Sequence, residues 1–133
     1  MDMTQRFNAG RAWIGPFLLG VALIHTAVGL WLFHGTVAEL WDLGWWDSVG
    51  EHPLRGAVVW FFLFGAPLAL LAGLVPPLQR AGQWPALRHL GWGLLGLLAL
   101  GASLMPVSGF WLVLPPALAL CVAPALTPAH QAA

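Results

Sequence analysis

Four apolar stretches, separated by short polar segments, set the pattern of the chain. They cover residues 12–33, 54–75, 89–105 and 110–126. A helix that crosses a membrane needs ~20 mostly apolar residues for a hydrocarbon core of ~30 Å. The first two stretches meet this length, and the last two are shorter. The pattern predicts an all-α membrane protein, in which a bundle of four transmembrane helices forms one domain over residues 1–133.

The polar segment between the first two spans predicts a further, short helix. Thr36 and Glu39 have the spacing of a capping box, in which a hydroxyl and a carboxylate bind free N–H groups at a helix start. Small or apolar residues then recur at helical spacing, at Val37, Leu40, Trp41, Gly44 and Trp45. We expect an amphipathic helix on the membrane surface, followed by a turn that leads into the second span.

The composition argues against a soluble domain. Hydrophobic residues make up 59% of the chain and charged residues only 8%, compared with ~25% charged residues in a typical soluble protein. A chain of 133 residues is too small to bury so much apolar surface in its own core, so we expect the lipid bilayer to cover it. The formal net charge is zero and basic runs are absent, which argues against nucleic acid as a partner.

Charged residues divide between the two ends of the predicted spans. Arg6 and Arg11 precede the first span, and Arg80 and Arg88 join the second span to the third, whereas Arg55 and four of the five carboxylates lie on the other side. Because positive residues favour the cytoplasmic face, we expect both termini in the cytoplasm. Lysine and tyrosine are absent, which is typical of a GC-rich genome, so we expect a multi-pass protein of a bacterial inner membrane.

His25 is the first candidate for a functional residue. It lies near the middle of the first span, where an ionisable side chain is unfavourable and needs a partner inside the bundle. It is a candidate for acid–base catalysis, for proton transfer or for ligand binding. The structural alternative is a neutral imidazole that bonds to Thr26, to Ser103 or to a backbone carbonyl freed near Pro67.

Cofactor and metal sites find little support in the sequence. His34, His52 and His89 are expected near the membrane surfaces, so a buried haem with two histidine ligands lacks its second ligand. Haem bound by a single histidine stays open. A zinc-binding HExxH motif is absent, and the single cysteine, Cys121, excludes an internal disulfide and sites with several cysteines. We expect no metal and no cofactor.

A second candidate site lies at the start of the second span. Glu51, His52 and Arg55 form the densest polar cluster, and Glu51 and Arg55 have the four-residue spacing of a helical ion pair. Together with His52 they are candidates for acid–base catalysis at the outer mouth of a pocket. The structural alternative is a helix cap and a solvated ion pair.

Aromatic residues suggest where a ligand would bind. Trp60 and Trp111 are expected in the outer half of the bundle, where they would line a lipophilic pocket together with Phe61 and Phe110. Ordinary packing of aromatic side chains in the core is the alternative.

Four glycines distinguish the third span, and small residues let helix backbones approach closely in lipid. They are Gly91, Gly93, Gly96 and Gly101. This span is therefore the expected contact surface for a membrane protein partner or for a second copy of the chain, and Gly96→Leu is expected to weaken helix packing.

Three segments carry a family resemblance. They are IGPFLLGVALIHTAVGLWLF in the first span, EHPLRGAVVWFFLFG at the start of the second, and MPVSGFWLVLPPALAL near the end. With them the chain resembles the DUF6463 family, small bacterial membrane proteins of unknown function. The resemblance implies a four-helix membrane protein, and it implies no activity and no site. A looser similarity, at the level of the fold alone, is to DoxX-like four-helix membrane proteins.

Three functions remain open at this point. The first is a non-enzymatic helical module that supports a partner complex or binds a lipophilic ligand. The second is a membrane enzyme that acts on a lipophilic small molecule, with His25 or the pair of Glu51 and His52 as acid and base. The third is a small transporter, which is disfavoured because the four spans contain no carboxylate.

Overall fold

The computed structural model describes residues 11–44 and 46–122, and within these ranges it contains helices and no strand. The helices are α1 (Ile14–Asp42), α2 (Pro53–Arg80), α3 (Trp84–Leu104), a 3₁₀-helix (Gly109–Val113) and α4 (Leu114–Cys121). The first three are long and apolar enough to cross a membrane, whereas the apolar segment Gly109–Cys121 is shorter. The all-helical prediction is confirmed. The last four residues predicted for the fourth span, 123–126, lie outside the described residues.

The short helix expected after the first span is present as the part of α1 that follows a kink at Phe33. Helix α1 bends at Phe33, where φ is −114° and ψ is 19°, and continues to Asp42. Thr36 therefore lies inside a helix and cannot cap a helix start. The helix ends where Gly44 adopts a φ of +81°, a conformation that glycine adopts readily and that commonly terminates helices.

Helix α2 extends beyond its predicted end at Val75. It passes through Pro67, Pro76 and Pro77 and ends at Arg80, although a proline removes one backbone hydrogen bond and crowds the preceding turn. Membrane helices tolerate prolines where a neighbouring helix packs against the affected turn. Helix α1 is that neighbour, because a Cβ atom added to Gly15 would lie 2.7 Å from Cγ of Pro76.

The helices form two pairs. Helix α1 packs mainly against α2, and α3 packs mainly against the 3₁₀-helix and α4. The pairs meet in a core of aliphatic side chains and one tryptophan, which includes Leu18, Leu68, Trp84, Leu94 and Leu120.

Polar contacts show which helix ends lie together. The side-chain amide of Gln79 donates to the carbonyl oxygen of Arg11 at 3.1 Å, and Nη2 of Arg11 donates to the carbonyl oxygen of Val122 at 3.1 Å. At the opposite end of α1 and α2, Arg55 forms an ion pair with Glu39. The start of α1 and the ends of α2 and α4 therefore share one end of the bundle.

The glycines of α3 divide between two faces. A Cβ atom added to Gly91 would lie 2.8 Å from the backbone nitrogen of Cys121, and one added to Gly101 would lie 2.6 Å from the ring of Phe110. Gly93 and Gly96 have no atom within 4 Å of an added Cβ atom. The expectation that Gly96→Leu weakens packing within the chain is therefore wrong, since Gly96 lies on the outer face. A partner or a second copy on that face stays a prediction.

Within residues 11–44 and 46–122, the short last helix leaves part of α1 and α2 uncovered. At ~1.5 Å per residue in an α-helix and ~2.0 Å in a 3₁₀-helix, the 3₁₀-helix and α4 together extend only ~22 Å. The same rise gives ~43 Å for the 29 residues of α1. Because α4 returns to the end of the bundle that holds Arg11, the uncovered part of α1 and α2 lies toward the other end.

Candidate functional site

A cavity of about 680 Å³ lies in this uncovered region, between α1, α2 and residues 105–113. Helix α1 contributes a stripe with helical spacing, at Val21, Ile24, His25, Val28 and Leu32. Helix α2 contributes a matching stripe, at Phe61, Phe64 and Leu68. The volume falls within the ~300–1,000 Å³ that is usual for small-molecule sites.

The wall of the cavity is apolar. Among the described residues that line it, none is an aspartate, glutamate, lysine or arginine, and the polar side chains are those of His25 and Ser108. Phe64 and Phe110 pack edge to face on one side, with ring centroids 6.1 Å apart. A second, apolar cavity of about 60 Å³ lies behind these two rings. Such a wall suits an uncharged molecule.

His25 is held rigidly against α2. Its Nε2 lies 2.8 Å from the carbonyl oxygen of Phe61, and its ring stacks on the Phe61 ring at a centroid distance of 4.1 Å. Gly65 permits this approach, because a Cβ atom added there would lie 3.2 Å from Cδ2 of His25. A carbonyl oxygen only accepts hydrogen bonds, so Nε2 carries a proton. In the neutral ring, Nδ1 is then an acceptor.

The partner of His25 is a backbone carbonyl of α2, but it is not the carbonyl that Pro67 frees. The carbonyl belongs to Phe61, whereas the proline ring of Pro67 removes the donor that would bind the carbonyl of Leu63. The hydroxyls of Thr26 and Ser103 bind carbonyls of their own helices instead. Neither is therefore the partner of His25.

The predicted aromatic residues separate into two groups. Phe61 and Phe110 line the cavity with His25. Trp60 and Trp111 do not line it, and their exposed fractions are 73% and 51%. The indole Nε1 of Trp111 donates to the carbonyl oxygen of Pro106 at 2.9 Å, which anchors the turn that precedes the 3₁₀-helix.

The cluster at the start of α2 differs from the prediction. Arg55 pairs with Glu39, at 3.5 Å between Nε and Oε2, and in the described part of the chain Glu51 forms no ion pair. The reason is that α2 begins at Pro53, so Glu51 lies in the preceding turn and does not share a helical face with Arg55. Glu51 and His52 are exposed and lie away from the cavity lining, so the structure does not join them to His25.

The other described histidines also lie apart from the cavity. Nδ1 of His34 bonds to the carbonyl oxygen of Trp31 at 3.1 Å, and Nδ1 of His89 to that of Pro85 at 2.8 Å. Over residues 11–44 and 46–122, no group of three or more histidine, cysteine, aspartate or glutamate side chains is placed to hold a metal ion. The absence of a metal and of a cofactor stays a prediction.

Some cavity residues were not identified from the sequence. Phe64 and Leu68 share a helical face with Phe61, and Val28 and Leu32 share one with His25. This spacing around His25 is the signal that points to them. The spacing alone does not predict a cavity, because residues that face lipid are equally apolar. Only the position of residues 105–113 distinguishes the residues that line the cavity from those that face lipid.

Comparison with known proteins places the chain in a family. A family model described as "Family of unknown function (DUF6463)" matches residues 9–126. No curated protein and no solved structure matches the chain. The family match covers all the helices described above.

Proposed function

We propose that the chain, which belongs to the DUF6463 family, binds an uncharged lipophilic molecule in the cavity beside His25. The observation that carries the proposal is the cavity of about 680 Å³, whose wall is apolar apart from His25 and Ser108. An apolar body would gain roughly 0.8 kcal/mol for each buried methylene group that leaves water. For a ligand that is already dissolved in lipid this free-energy gain is smaller. The shape of the cavity and the polar groups of its wall then determine which ligand binds.

Binding is favoured over acid–base catalysis by the content of the cavity. General acid–base chemistry commonly needs two titratable groups within reach of one substrate. Among the described residues that line the cavity, His25 is the one titratable side chain. Glu51 and His52 lie in a separate, exposed turn. They would therefore not contact the proposed ligand, and the structure gives no support to an enzymatic role for this pair.

We propose that the chain lies in the cell membrane with both termini in the cytoplasm. The end of the bundle that holds Arg11 also holds the last turn of α2, which contains Arg80. Glu39 and Arg55 mark the other end. The positive-inside rule then assigns the first end to the cytoplasm. In this arrangement α1 to α3 cross the membrane, and residues 109–122 return to the cytoplasmic side as a shorter fourth helix.

Single cysteines test this orientation. In a Cys121→Ala background, Ser48→Cys and Gln83→Cys place one thiol in each of two loops at opposite ends of α2. With intact cells and a membrane-impermeant maleimide, we expect Ser48→Cys to react and Gln83→Cys to react only after lysis. Reaction of both thiols in intact cells, or of neither, would contradict the proposed topology.

Photolabelling tests the proposed binding site. We expect a long-chain alcohol that carries a diazirine in its chain to label the purified protein in lipid nanodiscs mainly at residues 105–113 and on the cavity face of α1. Labelled residues would be identified by mass spectrometry of peptides. Excess unlabelled alcohol should suppress this labelling, because the two molecules compete for one site.

The exposed face of α3 provides the control for this experiment. Trp92 and Leu100 are exposed and line neither cavity, so their labelling reports contact with bulk lipid. We expect it to be weak and unaffected by the competitor. Equal labelling of this face and of the cavity would reject the proposed site.

A further inference from the structure

We infer that the molecule bound beside His25 carries a hydroxyl group, which donates a hydrogen bond to Nδ1 of the imidazole. The ligand would be an uncharged lipophilic alcohol or phenol. This inference rests on the proposed function, because it assigns a chemical class to the ligand of the same cavity.

The orientation of the imidazole carries the inference. Its Nε2 bonds to the carbonyl oxygen of Phe61, and the adjacent atom Cδ2 faces Gly65. This edge of the ring therefore faces α2, and Nδ1 lies on the opposite edge. Within the described part of the chain, Nδ1 has no hydrogen-bond partner and is not a fully buried atom. His25 thus has an unpaired acceptor on the edge of its ring away from α2, and the residue lines a cavity whose wall is apolar.

An acceptor in an apolar site is unfavourable unless a donor reaches it. Water is scarce inside the membrane, so the ligand is the natural source of the donor. A hydroxyl group provides an O–H, whereas an ether or a ketone can only accept. An ionised fatty acid also lacks a donor, and the described cavity wall has no cationic side chain to stabilise its charge.

Ser108 provides a second polar group at the same cavity. Its residue lines the cavity, and its Oγ is buried without a hydrogen-bond partner in the described part of the chain. Ser108 thus adds a second polar residue to a cavity wall that is otherwise apolar.

A pair of probes tests the inference. The diazirine-bearing alcohol is compared with its methyl ether, which has the same chain and lacks the donor. We expect the wild-type protein to bind the alcohol about 2- to 12-fold more tightly, the range that one hydrogen bond contributes. In His25→Phe, which keeps an aromatic ring beside Phe61, the two probes should bind with nearly equal affinity. Comparing the two proteins cancels the different partition of the probes into lipid.

The outcomes separate the inference from the proposed function. Equal affinities for both probes in the wild type, with labelling still confined to the cavity, would overturn the inference and leave the proposed function standing. A preference for the alcohol that persists in His25→Phe would also overturn it, since the acceptor would then be another group. Failure of both probes to label the wild-type cavity would reject the proposed function itself. His25→Leu, tested in the same way, guards against a folding defect of the first variant.

Discussion

Gly109→Phe is expected to reduce binding of the alcohol probe by about tenfold or more. Gly109 lines the cavity, and a Cβ atom added there would have no neighbour within 4 Å, so a larger side chain has room at the cavity wall without displacing the backbone. A phenyl ring in the space of the ligand overpacks the site, which typically costs ~1–3 kcal/mol. Since 1.4 kcal/mol corresponds to tenfold in affinity, the loss is readily measured.

The matched control is Gly96→Phe. Gly96 also has no atom within 4 Å of an added Cβ atom, and it lies on the outer face of α3, away from the cavity lining. The two variants add the same side chain and the same apolar area. We expect Gly96→Phe to bind the probe as the wild type does. Equal binding by Gly109→Phe and Gly96→Phe would show that the probe binds elsewhere.

Gly91→Ala is expected to destabilise the protein by about 1–3 kcal/mol, the usual effect of overpacking. The added Cβ atom would lie 2.8 Å from the backbone nitrogen of Cys121 and 2.9 Å from the carbonyl oxygen of Ala117. These are backbone atoms of α4, which cannot move aside as a flexible side chain can. Helices α3 and α4 must therefore separate, and α4 has few contacts with the other helices.

Thermal unfolding in detergent measures this effect. Cys121 provides a single reporting thiol at the contact between α3 and α4, and its reaction with a maleimide dye follows the opening of that contact. We expect the midpoint to fall in Gly91→Ala and to stay the same or rise slightly in Gly96→Ala, because alanine favours a helix more than glycine does. A lower midpoint in Gly96→Ala but not in Gly91→Ala would contradict the packing described for α3.

Hydrophobic periodicity and length identified the long helices, because a span needs a fixed run of apolar residues. They placed the end of the first span at Phe33, where α1 has its kink, but they did not identify where α2 ends. A proline-containing turn reads as a stop in the sequence, yet α2 continues through Pro76, where α1 packs against it at Gly15. Thr36 reads as a helix start, yet the helix that follows the kink at Phe33 already includes it. Both outcomes depend on tertiary contacts that local sequence does not contain.

The candidate site was predictable only in part, because its geometry also depends on tertiary contacts. The depth of His25 in the first span follows from counting residues, and the need for a partner follows from the low polarity of lipid. The identity of the partner, Phe61, depends on the register of α1 against α2. The pairing of Arg55 with Glu39, in place of Glu51, depends on the helix beginning at Pro53. The cavity itself depends on how far α4 extends, which its apolar sequence does not reveal.

A titration of photolabelling tests the central claim, a discrete lipophile site beside His25, most directly. The wild-type protein in nanodiscs is exposed to increasing amounts of the diazirine-bearing alcohol, and the label on residues 105–113 is quantified. We predict that this label rises to a plateau, and that unlabelled alcohol displaces it. A label that grows in proportion to the probe concentration, without a plateau and without competition, would mean that the region contacts only bulk lipid and would contradict the account.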